Sequence, residues 1–293
     1  MVAIVQQCIV MAWLLAASAW FVNWWPQAPA VAVGGLLILS TAHAGVLGVE
    51  FIATRRVSRS DSVARASAFE CGRAWIAESW IAARVFCWQQ PFRSRAFPDH
   101  LPQANGRRGV IFVHGFLCNR AFWNPWLEEL RARDHAFVAV NLEPIWASID
   151  HYVQTIESAV QRVTAQTGRA PVLICHSMGG LAARAWLRSS DPSRVHRIVT
   201  IGTPHHGTWL ARFSHTANGR QMRIGSNWMR QAERDGVPAG LFTCWYSNCD
   251  NITFPVSTAT LPGADNRLAS GRGHVEMAFM PSLRHQTLDL LES

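Results

Sequence analysis

The sequence predicts an α/β protein, with a mostly parallel central sheet flanked by helices and preceded by two helices able to cross a membrane. Three observations carry that expectation. From residue 109 onward, short β-rich runs alternate with stretches whose apolar residues recur every three or four positions. The β-rich runs are apolar on both faces, as strands covered by helices on both sides must be. Residues 1–54 contain no Arg or Lys, and Glu50 is their only formal charge.

Taken in order, residues 2–22 (VAIVQQCIVMAWLLAASAWFV) and 31–53 (VAVGGLLILSTAHAGVLGVEFIA) each come close to the ~20 residues a helix needs to cross the hydrocarbon. Between them NWWPQAPA supplies a Trp pair suited to the interface and two prolines that break the run. RRVSR (55–59) follows directly, and the positive-inside rule makes that flank cytoplasmic. The expectation is a retained transmembrane hairpin over 1–56 in the inner membrane, multi-pass, with the bilayer as partner and the catalytic domain in the cytoplasm. A cleaved export signal competes, because AHA (42–44) resembles a cleavage site. The missing basic leading region and the length of the apolar stretch weigh against it.

Residues 57–108 read as an amphipathic or linking region. RAWIAESWIAARVFCW within it sets Trp75, Trp80 and Trp88 among apolar residues at helical spacing. It suits a helix on the membrane surface or one packed on the catalytic domain, and both readings stand. Residues 109–293 then read as one catalytic domain. Strands are expected over 109–115, 136–142, 170–177, 195–204 and 240–250. Helices are expected over 148–168, with Gly168 as stop, over 178–190, and through most of 274–293.

The formal net charge is +8, and all 27 basic residues are Arg. They are scattered rather than gathered on one face, which argues against a nucleic-acid partner and suits an anionic lipid surface. The seven cysteines show no CxxC spacing, and their odd number forbids complete pairing. Cys244 and Cys249 are close enough to bridge if that segment turns back.

In this setting CHSMG (175–179) has a mechanical meaning. A strand turning sharply into a helix lifts the residue at its apex, here Ser177, above the sheet and beside the free N–H groups of a helix start. A loop serine after a strand is also an ordinary turn residue; the strand–turn–helix context favours the nucleophile. Cys175 lies within the strand rather than at the apex, and His176 should point away from Ser177 and pack. In this architecture the base follows the acid late in the chain, which selects His274 in GRGHVEM (271–277). His285 reads as solvated, and His205 and His206 precede the acid. Asp250 is the candidate acid, with Asp265 as fallback and a plain turn residue as the bland alternative. The backbone N–H groups of Phe116, in HGF (114–116), and Met178 are the candidate oxyanion donors, with His114 structural. Segment 207–240 mixes Trp, Phe and Met with polar residues and suits either a mobile lid or an ordinary surface helix pair.

FVHGF, CHSMGG, TIGTPHHGT (200–208), DNITFPVSTATLPGADN (250–266) and GRGHVEM together resemble the lipase and esterase branch of the α/β-hydrolase family. TIGTPHHGT is particularly similar to bacterial triacylglycerol lipases. The resemblance runs from about Gly109 to the end, departs from G-x-S-x-G at Cys175, and finds no counterpart for residues 1–108. It implies an α/β-hydrolase fold and a Ser177–His274–Asp250 triad hydrolysing an acyl ester through an acyl-enzyme. It calls for no cofactor and no metal; some related lipases carry a structural calcium, but no acidic cluster here compels one. An acyltransferase or thioesterase with the same triad remains open, as does a non-enzymatic membrane scaffold. Two spans cannot by themselves enclose a transport pathway.

Overall fold

Two apolar helices, α1 (Val2–Trp24) and α2 (Pro29–Val57), are joined by a tight turn. Pro29 opens α2, where its missing N–H is no loss, and Arg55 and Arg56 occupy the last turn, opposite the helix dipole. The structure, a computed structural model, describes residues 1–103 and 106–291. By length and composition both helices could cross a membrane. Their outer faces expose Ile9, Leu15, Val22, Leu37, Ile38 and Val49, far more large apolar surface than a water-facing helix carries. Gln6 and Gln7, the polar pair in α1, turn inward instead: Gln6 Nε2 donates to Leu117 O (3.3 Å) and Gln7 Nε2 to Pro91 O (2.7 Å).

Helix α3 (Ala68–Ala83) begins at a capping box, with Ser67 Oγ accepting from Glu70 N–H and Glu70 accepting from Ser67 N–H. It passes through a π-helical turn (Arg84–Gln89) into the short α4 (Gln90–Phe92). Cys71, Ala74 and Glu78 are buried, while Phe69, Ile76 and Trp80 face outward. The two readings of this region therefore meet in one helix: one face packs on the body and the other is bare and apolar.

The body follows in the order β1 (Val110–Val113), α5 (Asn124–Ala132), β2 (Phe137–Ala139), α6 (Val153–Thr167), β3 (Val172–His176) and α7 (Met178–Leu187). It continues with β4 (Arg197–Ile201), α8 (Ala217–Gln221), α9 (Asn227–Arg234), β5 (Phe242–Tyr246), β6 (Asp265–Leu268), α10 (His274–Ala278) and α11 (Pro281–Leu288). The strands form one sheet in the order β2-β1-β3-β4-β5-β6, every neighbouring pair parallel. The expected helix over 148–168 stops at Gly168, whose φ of +69° lies in the left-handed region.

Period-2 alternation sends Ile111, Val113, Leu173 and Cys175 to the face covered by α6 and α7. Val110, Phe112, Val172 and Ile174 go to the opposite face, with Trp123, Trp126 and Leu283. Both faces being dry, the chemistry is confined to the sheet's carboxyl edge, where the loops after β1, β3, β5 and β6 gather.

Segment 207–240 is largely tied to this body. Trp228 and Met229 join the core beside α6 and α7. Trp228 Nε1 donates to the Asp150 carboxylate (2.9 Å), and Asn218 Nδ2 donates to Ile145 O (2.8 Å). Cys244 and Cys249 are not bridged, and both are free thiols. Cys244 sits inside β5 with its Sγ 3.6 Å from His205 Nε2, whereas Cys249 Sγ lies 3.6 Å from Cys71 Sγ on α3. The strand carries Cys244 into the core under the sheet, while the loop after it turns towards α3.

Candidate active site

Ser177 stands between β3 and α7 with φ 53° and ψ −128°, a conformation sparsely populated by any residue with a Cβ. Its N–H donates to Ile201 O on β4 (2.9 Å), and its carbonyl accepts from Thr203 Oγ1 (2.8 Å), so the corner is held on both sides. The small residues of the motif serve close approach: a Cβ on Gly179 would overlap the carbonyl oxygen of Val113. Cys175 is tolerated at the first glycine position because its side chain points into the α6–α7 core, away from the corner.

Asp250 and His274 are brought together from the loops after β5 and β6. His274 Nδ1 donates to both carboxylate oxygens, at 3.0 and 2.9 Å, which leaves the Nε2 lone pair available for a proton. Both residues are buried. Asp250 Oδ1 also accepts from the N–H groups of Ile252 (2.9 Å) and Thr253 (2.7 Å), which fixes the carboxylate in its turn. Burial alone would lower the His274 pKa, but the carboxylate of Asp250, with those of Glu78 and Glu50 behind it, outweighs burial and raises it. Ser177 and His274 line one cavity of about 500 Å³, together with Phe116. Among the described residues the N–H groups of Phe116 and Met178 donate to no other backbone group, and Met178 is the first residue of α7.

The remaining histidines occupy other places. His114 Nδ1 donates to Gly115 O (2.9 Å) while its Nε2 accepts from Leu142 N–H (3.1 Å); burial pushes its pKa down to about 4, so it is a neutral brace under the loop. His176 stacks on Phe122 and donates from Nε2 to His274 O (3.2 Å), bracing the base from behind. His205 is buried under the sheet beside Thr200. His206 pairs with Glu233, and His285 is exposed beside Asp289. Asp265 pairs with Arg267 on β6 rather than with His274.

Three residues of the N-terminal helices, Glu50, Thr54 and Glu78, reach the site and escaped the sequence reading. Glu78 of α3 accepts from Val275 N–H (2.9 Å) and Glu276 N–H (2.8 Å), so it caps the helix that starts at His274. Gly273 is required beside it, because a Cβ there would overlap the Glu78 carboxylate. Burial raises the Glu78 pKa to about 7 against the pull of these two N–H groups. Asn251 Oδ1 accepts from His274 N–H (3.1 Å), and Asn251 Nδ2 donates to Glu50 Oε2 on α2 (2.8 Å). One helical turn further along α2, Thr54 Oγ1 donates to Asp250 O (3.1 Å). Glu50 did carry a signal, as the lone carboxylate in an uncharged apolar run. Glu78, one acid in a charged stretch, carried none.

A strained serine at a strand-to-helix corner and a buried Asp–His pair on the next loops of a parallel sheet invite comparison with known hydrolases. The model of the alpha/beta hydrolase family matches residues 110–282. The chain belongs to the alpha/beta hydrolase family. Among solved structures, this hydrolase is similar to the mature Bacillus licheniformis lipase BlEst2, with a TM-score of 0.56 at 18% identity over 65% of this chain and 94% of that one. It is also similar to Aspergillus fumigatus lipase B, with a TM-score of 0.54 at 19% identity over 68% of this chain and 57% of that one. At such identities the likeness is one of fold. Among curated proteins, lysosomal thioesterase PPT2 of Homo sapiens is 26% identical over 117 residues, 37% of each chain. The counterpart from Bos taurus is 28% identical over 118 residues. The hydrolase thus spans little more than a third of the length of the curated relatives it matches.

Proposed function

We propose that the protein is a membrane-anchored serine hydrolase that cleaves carboxylic esters of acyl chains. The observation that carries this reading is the hydrogen bond that His274 Nδ1 donates to both oxygens of the Asp250 carboxylate, with His274 lining the cavity that Ser177 also lines. Ser177 Oγ attacks the ester carbonyl while His274 Nε2 takes the hydroxyl proton. The oxyanion that forms rests on the N–H groups of Phe116 and Met178. His274 then gives its proton to the leaving alkoxide, and an acyl-enzyme remains. Water, deprotonated by His274, attacks that acyl carbonyl and releases the acid. Asp250 holds the imidazole in the required tautomer and stabilises it when protonated.

The hairpin of α1 and α2 anchors the protein in the inner membrane, with Arg55, Arg56 and Arg59 holding the following body in the cytoplasm. A reporter enzyme active only outside the membrane, fused behind residue 293, is expected to stay silent; strong activity would reverse the orientation. A thioesterase is the second reading, favoured by the thioesterase relatives, since the same triad attacks a thioester. Fluorophosphonate labelling of membranes carrying wild type and Ser177→Ala tests the nucleophile. Labelling that survives the substitution would end this proposal. A p-nitrophenyl ester series run beside acyl-CoA separates ester from thioester preference.

A further inference from the structure

One wall of the cavity at Ser177 is formed by the apolar helix α2. Val46, Leu47 and Glu50 line it from one face of that helix, and Ala82, Ala83 and Phe86 line it from the α3 side. Val46 also stands 62% exposed on the outside of α2. On the opposite lip Cys87 both lines the cavity and is exposed. The cavity therefore opens sideways, between α2 and the π-helical turn, next to the bare apolar faces that carry Val49, Ile76 and Trp80.

The length of the hairpin sets this opening at the depth of lipid. Near the body, α1 is held through Gln6 and Gln7, and α2 through His43 on Ser79 O, Ala44 O on Trp75 Nε1, and Glu50. Beyond these attachments the arms run over residues 8–24 and 29–42, roughly 25 and 21 Å at about 1.5 Å per residue. The hydrocarbon of a bilayer is about 30 Å thick. The missing depth is matched where α3 packs on α2, and there the exposed side chains are Ile76, Trp80 and Trp88. Aromatic side chains of this kind settle at the membrane interface.

We propose that the substrate is an acyl lipid that stays in its leaflet while one chain slides sideways between α2 and the π-helical turn to bring its ester to Ser177. This rests on the ester-hydrolase reading and adds where the chain comes from and what measures it. Leu47 and Ala83, which line the cavity from two different helices, set how long a chain fits. Segment 207–240 contributes Leu210 to this cavity while α2 and α3 supply the cover.

The test uses the full chain in phosphatidylcholine vesicles, with p-nitrophenyl palmitate in the bilayer and p-nitrophenyl butyrate from solution. Leu47→Trp and Ala83→Trp are each expected to lower the palmitate-to-butyrate ratio of kcat/KM at least about tenfold, while Val49→Trp, on the outer face of α2, leaves that ratio unchanged. A second measurement does not depend on turnover. Ser177→Ala protein in vesicles is irradiated with a phosphatidylcholine bearing a diazirine at the end of one palmitoyl chain. Crosslinks on Leu47, Phe116 or Ile252, which line the cavity, are the expected result. An unchanged ratio in both cavity variants, or crosslinks confined to α1 and the outer faces of α2 and α3, would overturn lateral access even with Ser177-dependent butyrate hydrolysis intact. Butyrate hydrolysis that survives Ser177→Ala would instead overturn the ester-hydrolase reading, and lateral access with it.

Discussion

The carboxyl edge of the sheet and the helical N-terminal region build the same site by different means. The loops after β1, β3, β5 and β6 bring Phe116, Ser177, Asp250 and His274, each announced by a local pattern of small residues, turns and strand ends. Helices α2 and α3 bring Glu50, Thr54 and Glu78, which touch the backbone or amide groups beside the Asp–His pair. The first set supplies the residues to which we assign the chemistry, and the second braces the Asp–His pair. The difference teaches that the N-terminal region is more than a tether: without α3, the N–H groups of Val275 and Glu276 lose the carboxylate that accepts them.

That contrast can be broken most forcefully at the edge of the sheet. Asp250→Asn should lower kcat roughly 10⁴-fold, because an amide no longer holds the useful tautomer of the base. The ester assay checks this, and a loss of tenfold or less would mean that another carboxylate serves. On the helical side, Glu78→Ala leaves two buried N–H groups without an acceptor and should destabilise the fold by about 1–3 kcal/mol. Denaturant unfolding measures that cost, and a change near zero would reduce α3 to packing.

A pH series sharpens the comparison. A base with a raised pKa is neutral, and so active, only at higher pH, so the acid limb of kcat/KM should lie above the ordinary histidine range near pH 6.5. Glu78→Gln removes one of the charges that raise it and should move the limb to lower pH; a limb that stays put would separate Glu78 from the base. The same substitution affects stability. Because the Glu78 pKa is raised in the fold, to about 7 from 4.5, its contribution is full below pH 4.5 and is lost as pH rises through 7. The raised His274 acts with the same sign. Thermal midpoints of wild type should therefore fall over that window, and those of Glu78→Gln should fall less. At the small end, His285→Ala, exposed on α11, should change stability by no more than about 0.5 kcal/mol and leave turnover unchanged.

Much of the body could be read from local pattern. Alternating apolar strands with no polar face require helices on both sides, so the parallel sheet followed from composition and period. The corner at Ser177 was legible because a strand, a serine and two glycines in that order leave few other backbone paths. Asp250 and His274 were singled out by chain order, and their hydrogen bond was not written in either segment. Whether Cys244 and Cys249 meet was open for the same reason: closeness along the chain permits it, while the loop carries Cys249 to Cys71 on a helix far away in sequence.

On its own, then, the amino-acid order determined the apolar hairpin, the alternation of strands and helices, and the raised serine, because each depends on residues within one or two turns of one another. Only the tertiary structure decided that α2 and α3 wall the cavity at Ser177 and that Glu78 caps the helix that starts at His274. Those contacts join residues nearly two hundred positions apart. Burial makes such contacts strong, and burial is a property of the packed molecule rather than of any segment.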